Sequence, residues 1–284
     1  MSAAASAPPE PPAVRAFEAL APGFDAAFSD WASVATQRRA VRRALLAAFP
    51  AGARLLELGG GTGEDALFLA EEGRSVHATD GAPAMVARTR EKARTRGLDG
   101  RVTAEVVTLE GLEGWAAARA SAPSPLFDGA FSNFAPLNCV TDHAAVARGL
   151  ARVVPAGARA LLVVFGPASP GETLVLLARG RLRAAFRRFS RRPAPARVAG
   201  ATFAVTYPSP RRLAAAFAPW FRLRGTAGIG LFVPPSSAEP WISRHPRLLG
   251  AAEALDRAVA RPLALLADHV LLDFERTDSV RELA

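Results

Sequence analysis

The sequence predicts an α/β fold: a doubly wound parallel sheet with helices on both faces. Three observations carry this. Between residues 53 and 165, short apolar runs alternate with helical stretches. The first run ends in Gly59-Gly60-Gly61-Thr62-Gly63 and passes at once into a helix. The second run ends on an acid, Asp80. Strand–helix alternation argues for βαβ units, and right-handed crossovers make such a sheet doubly wound.

The strand candidates of this core are 53–58, 75–79, 102–107, 127–132 and 160–165. Each is short and apolar. Helices are expected at 64–72, 83–96, 110–120 and 142–153, and another upstream at 31–49, with Arg38, Arg39, Arg42 and Arg43 on its polar face. Beyond Gly166 the pattern changes. A helix is expected over 172–189, with Val175, Ala178, Leu182, Phe186 and Phe189 on one stripe. The stretch 191–197, with Pro193 and Pro195, should break it. Strands near 201–207, 221–229 and 269–274, a helix at 211–217 and a long helical stretch at 239–266 complete the reading.

Of the 284 residues, 50% are apolar, which suffices for a large core. No apolar run approaches the roughly 18 residues of a spanning helix. Residues 1–12, rich in Ala and Pro, lack a basic start and an apolar segment, so a disordered leader is expected rather than a signal peptide. Residues 13–284 read as one domain, with a core at about 50–165 and lid insertions at about 166–200 and 231–266. The single cysteine, Cys139, excludes an internal disulfide and a cysteine-based zinc cluster, and a soluble cytoplasmic protein is expected. The net charge is +9, and Lys92 is the one lysine among 35 basic residues. That bias looks like codon usage. Arginine still attracts anions, but the chain carries no recognised nucleic-acid module, so nucleic acid is not the expected partner.

The glycine turn carries the chemistry. Glycine is required where the backbone takes positive φ or where a ligand sits too close for a Cβ. Asp80 follows Gly63 by seventeen residues, at a strand end beside the turn. Ligands of doubly wound sheets bind outside such strand ends, and a carboxylate there can accept from both ribose hydroxyls. Capping of the helix at Pro83 is the bland alternative for Asp80. Gly61-x-Gly63-x-x-Ala66 also fits a relaxed dinucleotide fingerprint, which would make the chain an NAD-dependent oxidoreductase. Glu57, an acid where a dinucleotide strand is normally apolar, argues against it.

The pattern Glu57-x-Gly59-x-Gly61-x-Gly63 resembles motif I of class I S-adenosylmethionine-dependent methyltransferases. Asp80-Gly81-Ala82-Pro83-Ala84-Met85 resembles that family's second motif, with Ala82 in place of the usual serine. Residues 127–134 resemble its fourth-strand motif, and Val154-Pro155-Ala156-Gly157 its proline-glycine turn. Ala21-Pro22-Gly23-Phe24-Asp25 is similar to a lid segment, with phenylalanine for tyrosine. The resemblance implies a Rossmann-like sheet of seven strands, mostly parallel with the last strand antiparallel. It implies S-adenosyl-L-methionine as cofactor, with Glu57, Gly59, Gly61, Gly63, Asp80, Gly81, Met85, Leu109, Glu110 and Asn133 as its binding residues. Leu109 and Glu110 depart from the family's glycine-aspartate version. Asn133 could equally be plain loop structure, and Met85 core packing.

Methyl transfer requires alignment and exclusion of water, and a base only if the nucleophile arrives protonated. His143 and Tyr207 are the candidates, and His269 a third that reads better as structural. The first lid, with Arg179, Arg181, Arg183, Arg187, Arg188, Arg191 and Arg192, could meet an anionic or lipid-like acceptor or a membrane surface; a solvated face is the bland alternative. The expected function is methylation of a small molecule. A non-catalytic S-adenosylmethionine-binding interaction protein is the alternative outside enzymes.

Overall fold

A computed structural model describes residues 10–28, 31–119, 126–190 and 192–278. The sheet is built from β1 (Arg54–Leu58), β2 (Ser75–Asp80), β3 (Val102–Val106), β4 (Gly129–Ser132), β5 (Arg159–Phe165), β8 (Phe221–Ile229) and β9 (His269–Arg276). Its order is β3-β2-β1-β4-β5-β9-β8, with β9 running against the other six strands. The seven-stranded, doubly wound expectation holds. The order reverses between β1 and β4, so the crevice outside their carboxyl ends is the switch point.

Alternate residues along the strands face opposite layers. Leu56, Leu58, Ala160, Leu162 and Val164 join the core beneath α6 (Leu112–Ala117), α7 (His143–Val153) and α10 (Pro210–Phe217). Leu55, Phe131, Leu161 and Val163 join the other, beneath α3 (Ala32–Ala48), α4 (Glu64–Glu71) and α5 (Pro83–Thr95). Burial on both faces explains why these strands read as continuous apolar runs. Asp142 caps α7 by accepting from the Ala145 amide at 2.9 Å, and Pro83 opens α5 where its missing N–H is harmless.

Residues 1–9, most of the expected leader, lie outside the described residues. Its last residue, Pro12, instead opens a helix, α1 (Pro12–Leu20), followed by α2 (Phe24–Phe28).

The C-terminal half corrects the sequence reading in three places. The helix expected over 172–189 is broken into α8 (Pro170–Ala178), α9 (Leu182–Ala185) and a 3₁₀ turn at Arg187–Phe189. Gly180, at φ +69°, is the cause. Its amide donates to Leu177 O and the Arg181 amide to Leu176 O, a glycine-terminated cap that stops α8. The stretch at 191–197 does more than interrupt: Ala194–Val198 is a strand, β6, paired with β7 (Ala201–Val205) in a separate two-stranded sheet. Ala199 and Gly200 both take positive φ, the geometry of a tight hairpin turn. The helical stretch at 239–266 is confined to α11 (Pro246–Val259) and two flanking 3₁₀ turns. Arg191 lies outside the described residues. Among the described residues no helix is long and apolar enough to cross a membrane.

Candidate functional site

Three glycines of the turn after β1 take positive φ: +64° at Gly59, +57° at Gly61 and +80° at Gly63. They do so for different reasons. A Cβ at Gly59 would run into the Pro136 ring, and one at Gly63 would stand 2.6 Å from Thr89 Cγ2. At Gly61 a Cβ would meet nothing within 4 Å. Packing against protein therefore accounts for the outer two glycines, and Gly61 alone faces open space. Thr89 Oγ1 donates to the Gly61 carbonyl at 2.9 Å and fixes the turn from α5.

Asp80 ends β2 beside this turn. Its Oδ2 accepts from the Gly61 amide and its Oδ1 from the Ala82 amide, both at 2.9 Å. Burial raises the carboxyl above its ordinary value, against these two backbone donors. Both oxygens keep acceptor capacity for a further hydroxyl.

Glu57 lies on β1 under the turn, buried, and its Oε2 has no hydrogen-bond partner among the described residues. Burial pushes its carboxyl well above the usual range; the charges of Asp65 and Asp80 add to the push, and Arg38 and Arg42 oppose it. Asp65, buried in the first turn of α4, takes Arg38 Nη1 at 2.9 Å, Arg42 Nε at 2.8 Å and Asn133 Nδ2 at 2.7 Å. Asn133 Oδ1 in turn accepts from the Phe134 amide. This holds the exit of β4 in place, where Phe134 and Ala135 both adopt left-handed backbone.

The N-terminal helices close over the turn. Val14, Phe17 and Phe24 pack on Ala82 and Met85, so Met85 is a packing residue under the lid. A Cβ at Gly81 would collide with Val14 Cγ2 at 2.7 Å. Asp25 Oδ1 accepts from Thr62 Oγ1 at 2.6 Å, and Asp25 Oδ2 meets Lys92 Nζ at 2.7 Å.

Beyond β4 the crevice wall is aromatic. Phe165, at the end of β5, lies 5.0 Å from the His269 ring and 5.8 Å from Tyr207, and Phe134 meets His269 edge-on at 5.8 Å. Tyr207 accepts at its hydroxyl from Arg187 Nε at 2.9 Å. Arg187 and Arg188 share Glu172, and Arg188 continues to Asp268. His269 Nδ1 lies 3.2 Å from Asp268 Oδ2, outside hydrogen-bond alignment.

The structure thus gathers Glu57, Gly59, Gly61, Gly63, Asp80 and Gly81 around one turn, with Asn133 tied to it through Asp65. Leu109 packs on the core under α6 and α7, and Glu110 is exposed in the turn after β3. Glu110 lies near Cys139, whose thiol is pushed up to about 11 by burial and by that charge. His143 Nε2 bonds the Leu137 carbonyl at 3.0 Å, and burial lowers its imidazole. Sequence reasoning missed Asp65 and the inward turn of Arg38 and Arg42. The available signal was the i, i+4 spacing of the two arginines with an acid just after the glycine turn.

Residues 55–157 match a family model described as a methyltransferase domain. No curated protein matches the chain. Among solved structures, the [4+2]-cyclase SpnF is similar at 18% identity over 95% of this chain and 98% of that one, with a TM-score of 0.61. The CcbJ methyltransferase from Streptomyces caelestis is similar at 15% identity, over 92% and 98%, with a TM-score of 0.59. An S-adenosylmethionine-dependent methyltransferase from Mesorhizobium loti follows at 21%, over 82% and 96%, with a TM-score of 0.50. These likenesses bear on the fold. The domain match covers the glycine turn and the strands β1–β4, so this part of the chain is similar to a methyltransferase domain.

Proposed function

We propose that the chain transfers the methyl group of S-adenosylmethionine to a small-molecule acceptor held over the carboxyl ends of β4 and β5. The observation that carries the reading is Glu57: a buried carboxyl group with an orphaned oxygen, behind a turn whose Gly61 opens on free space. An unpaired buried acid is costly unless a partner arrives, and the cationic methionine part of the cofactor is such a partner. In this reading Asp80 takes the ribose hydroxyls, Gly61 lets the cofactor approach the backbone, and Gly59, Gly63 and Gly81 shape the turn and its cover around it. Asn133 shapes the β4 exit, Met85 backs the lid, and Leu109 and Glu110 flank the adenine.

When bound, the cofactor supplies a methyl carbon on a sulfonium sulfur, displaced in line by the acceptor. The chain aligns and shields. The segments at 166–200 and 231–266 are lids over the acceptor, and Phe134, Phe165 and His269 form a wall that excludes water. Tyr207, its oxygen already accepting from Arg187, orients the acceptor by donating its O–H. His143, tied to Leu137, fixes the loop at 136–139. An apolar, lipid-like acceptor suits this wall better than an anionic one, because Arg187 and Arg188 are already engaged by Glu172 and Asp268. The reading includes a cytoplasmic location.

The test is calorimetric titration of S-adenosylmethionine, S-adenosylhomocysteine and NAD into the wild type and Asp80→Ala, followed by assay of S-adenosylhomocysteine release with an acceptor panel. Binding of both adenosyl ligands, weakened at least ~10-fold in the variant, with NAD silent, supports the reading. NAD binding in their place overturns it. Binding without turnover on any acceptor would favour a cofactor-binding role apart from methyl transfer.

A further inference from the structure

The lid at 166–190 is inside out. Three of its charged residues turn inward: Arg188 is 5% exposed, and Glu172 pairs with both Arg187 and Arg188 against Asp268 and Tyr207. Leu176 is buried, but the other large apolar residues face outward, Leu174 at 68% exposure, Leu182 and Phe189 at 62% and Phe186 at 52%, with Leu177 beside them. The polar network pins the inner face to the ends of β5 and β9, so the apolar face has no route inward. The pattern is not general to the surface. Among the described residues thirteen large hydrophobics are exposed, and twelve lie within 166–200 or 231–266. The two segments meet where Gly171 faces Pro235.

Exposed apolar area of this kind marks an interaction surface, and its charge selects the partner. Arg179, Arg181 and Arg183 are exposed between the apolar side chains, and the one acid of 170–190, Glu172, is turned inward. A second copy of the chain would bring the same three positive charges to the contact. A surface that is anionic outside and apolar beneath satisfies both features at once. We infer that the outer face of the 170–189 lid docks on an anionic lipid bilayer, with Phe186, Phe189, Leu174 and Leu182 entering the acyl boundary and the three arginines meeting headgroup phosphates. No described helix could cross the bilayer, so the attachment is interfacial.

The test is co-sedimentation of the full chain with vesicles of phosphatidylcholine alone and of an equimolar mixture with phosphatidylglycerol. Partition onto the mixed vesicles only is expected, weakening as salt rises. Arg179→Gln/Arg181→Gln/Arg183→Gln should reduce it by about 100-fold, and Phe186→Ser/Phe189→Ser by at least ~10-fold. All five side chains are solvent-facing, so retained thermal stability separates lost docking from lost folding. Absence of wild-type binding to the mixed vesicles overturns the inference, as does binding that survives the phenylalanine pair. Concentration-dependent dimerisation abolished by that pair, seen by analytical ultracentrifugation, would assign the face to a second copy instead. The result stands apart from the methyl-transfer reading, which the cofactor titration reports separately.

Discussion

Arg188 Nη2 lies 2.5 Å from Asp268 Oδ1, and both groups are buried across a separation of 80 residues. Arg188 also donates from Nη1 to the carbonyls of Asp268 (2.7 Å) and Gly166 (3.1 Å), and from Nε to Glu172 (2.8 Å). One side chain thereby joins the lid to the exit of β5 and the start of β9. Burial alone would raise the Asp268 carboxyl; the charges of His269 and Arg188 outweigh it and hold it far below the usual range. Arg188→Met should leave a buried anion facing only His269 and a long hydrogen bond from Gln37 Nε2, and destabilise the protein by about 3–5 kcal/mol. Arg188→Met/Asp268→Asn should recover much of that loss. Urea denaturation of the two variants decides: equal losses would mean that the arginine acts through packing alone.

Asp25 joins the N-terminal helices to the glycine turn through Thr62 and to α5 through Lys92, which also meets Glu64 at 2.9 Å. Burial raises the Asp25 carboxyl, but Lys92 and Thr62 pull it below its ordinary value. The contribution is thus present above the unfolded value near 3.8 and lost as pH falls through the depressed one. These groups are partly solvated, so the effect on stability should stay within about 1 kcal/mol. The effect on lid opening should be larger. Asp25→Ala is expected to speed release of S-adenosylhomocysteine about 3–10-fold, the factor for losing roughly 1 kcal/mol of closed-state contact. Asp25→Asn, which keeps the acceptor for Thr62, should fall between. Stopped-flow displacement measures the rate, and an unchanged rate in Asp25→Ala would remove the latch.

The core between 54 and 165 was legible because its signals are local. Gly73 and Gly97 end α4 and α5 with the same cap that Gly180 gives α8. Read with equal weight, Gly180 would have broken the helix expected over 172–189. The inversion of that segment was not legible. An apolar stripe at helical spacing normally faces a core, and what reverses it here is the pairing of Arg188 with Asp268, which no local pattern encodes. The site divides in the same way. Glu57, the glycines and Asp80 stand in motifs, whereas Asp65 acquires Arg38, Arg42 and Asn133 only once α3 and the β4 exit pack against the first turn of α4.

The glycine turn makes a prediction that separates ligand room from packing. Gly61→Ala meets no neighbour, so it should destabilise by only the ~1–2 kcal/mol of a left-handed alanine. It should nevertheless abolish detectable cofactor binding, because the new methyl stands in the open space. Gly63→Ala carries the same dihedral strain plus a collision with Thr89, and should destabilise by about 2–4 kcal/mol. Thermal denaturation with calorimetric titration gives both quantities. Retained affinity in Gly61→Ala would show that the cofactor does not approach this turn.

Glu57 should make the protein and its cofactor respond to pH in opposite directions. Its folded value is raised, so between the unfolded value near 4.5 and the raised one the folded state holds a proton that the unfolded chain has lost. Stability of the ligand-free protein therefore falls as pH rises through that window. Glu57→Gln, which cannot ionise, should flatten this slope and raise the melting temperature at the alkaline end. A bound cation favours the ionised carboxylate, so S-adenosylmethionine should bind more tightly as pH rises, with release of a proton. Titrations in buffers of different ionisation enthalpy count that proton. Glu57→Gln should lose both the proton release and at least ~10-fold in affinity, the scale of a charge-assisted contact of roughly 1.5–3 kcal/mol. Asp80, raised in the same direction, remains in the variant, so any residual slope measures its share. A variant that keeps the wild-type affinity and proton release would place the cofactor's cationic part away from Glu57 and leave its buried carboxyl as a structural acid alone.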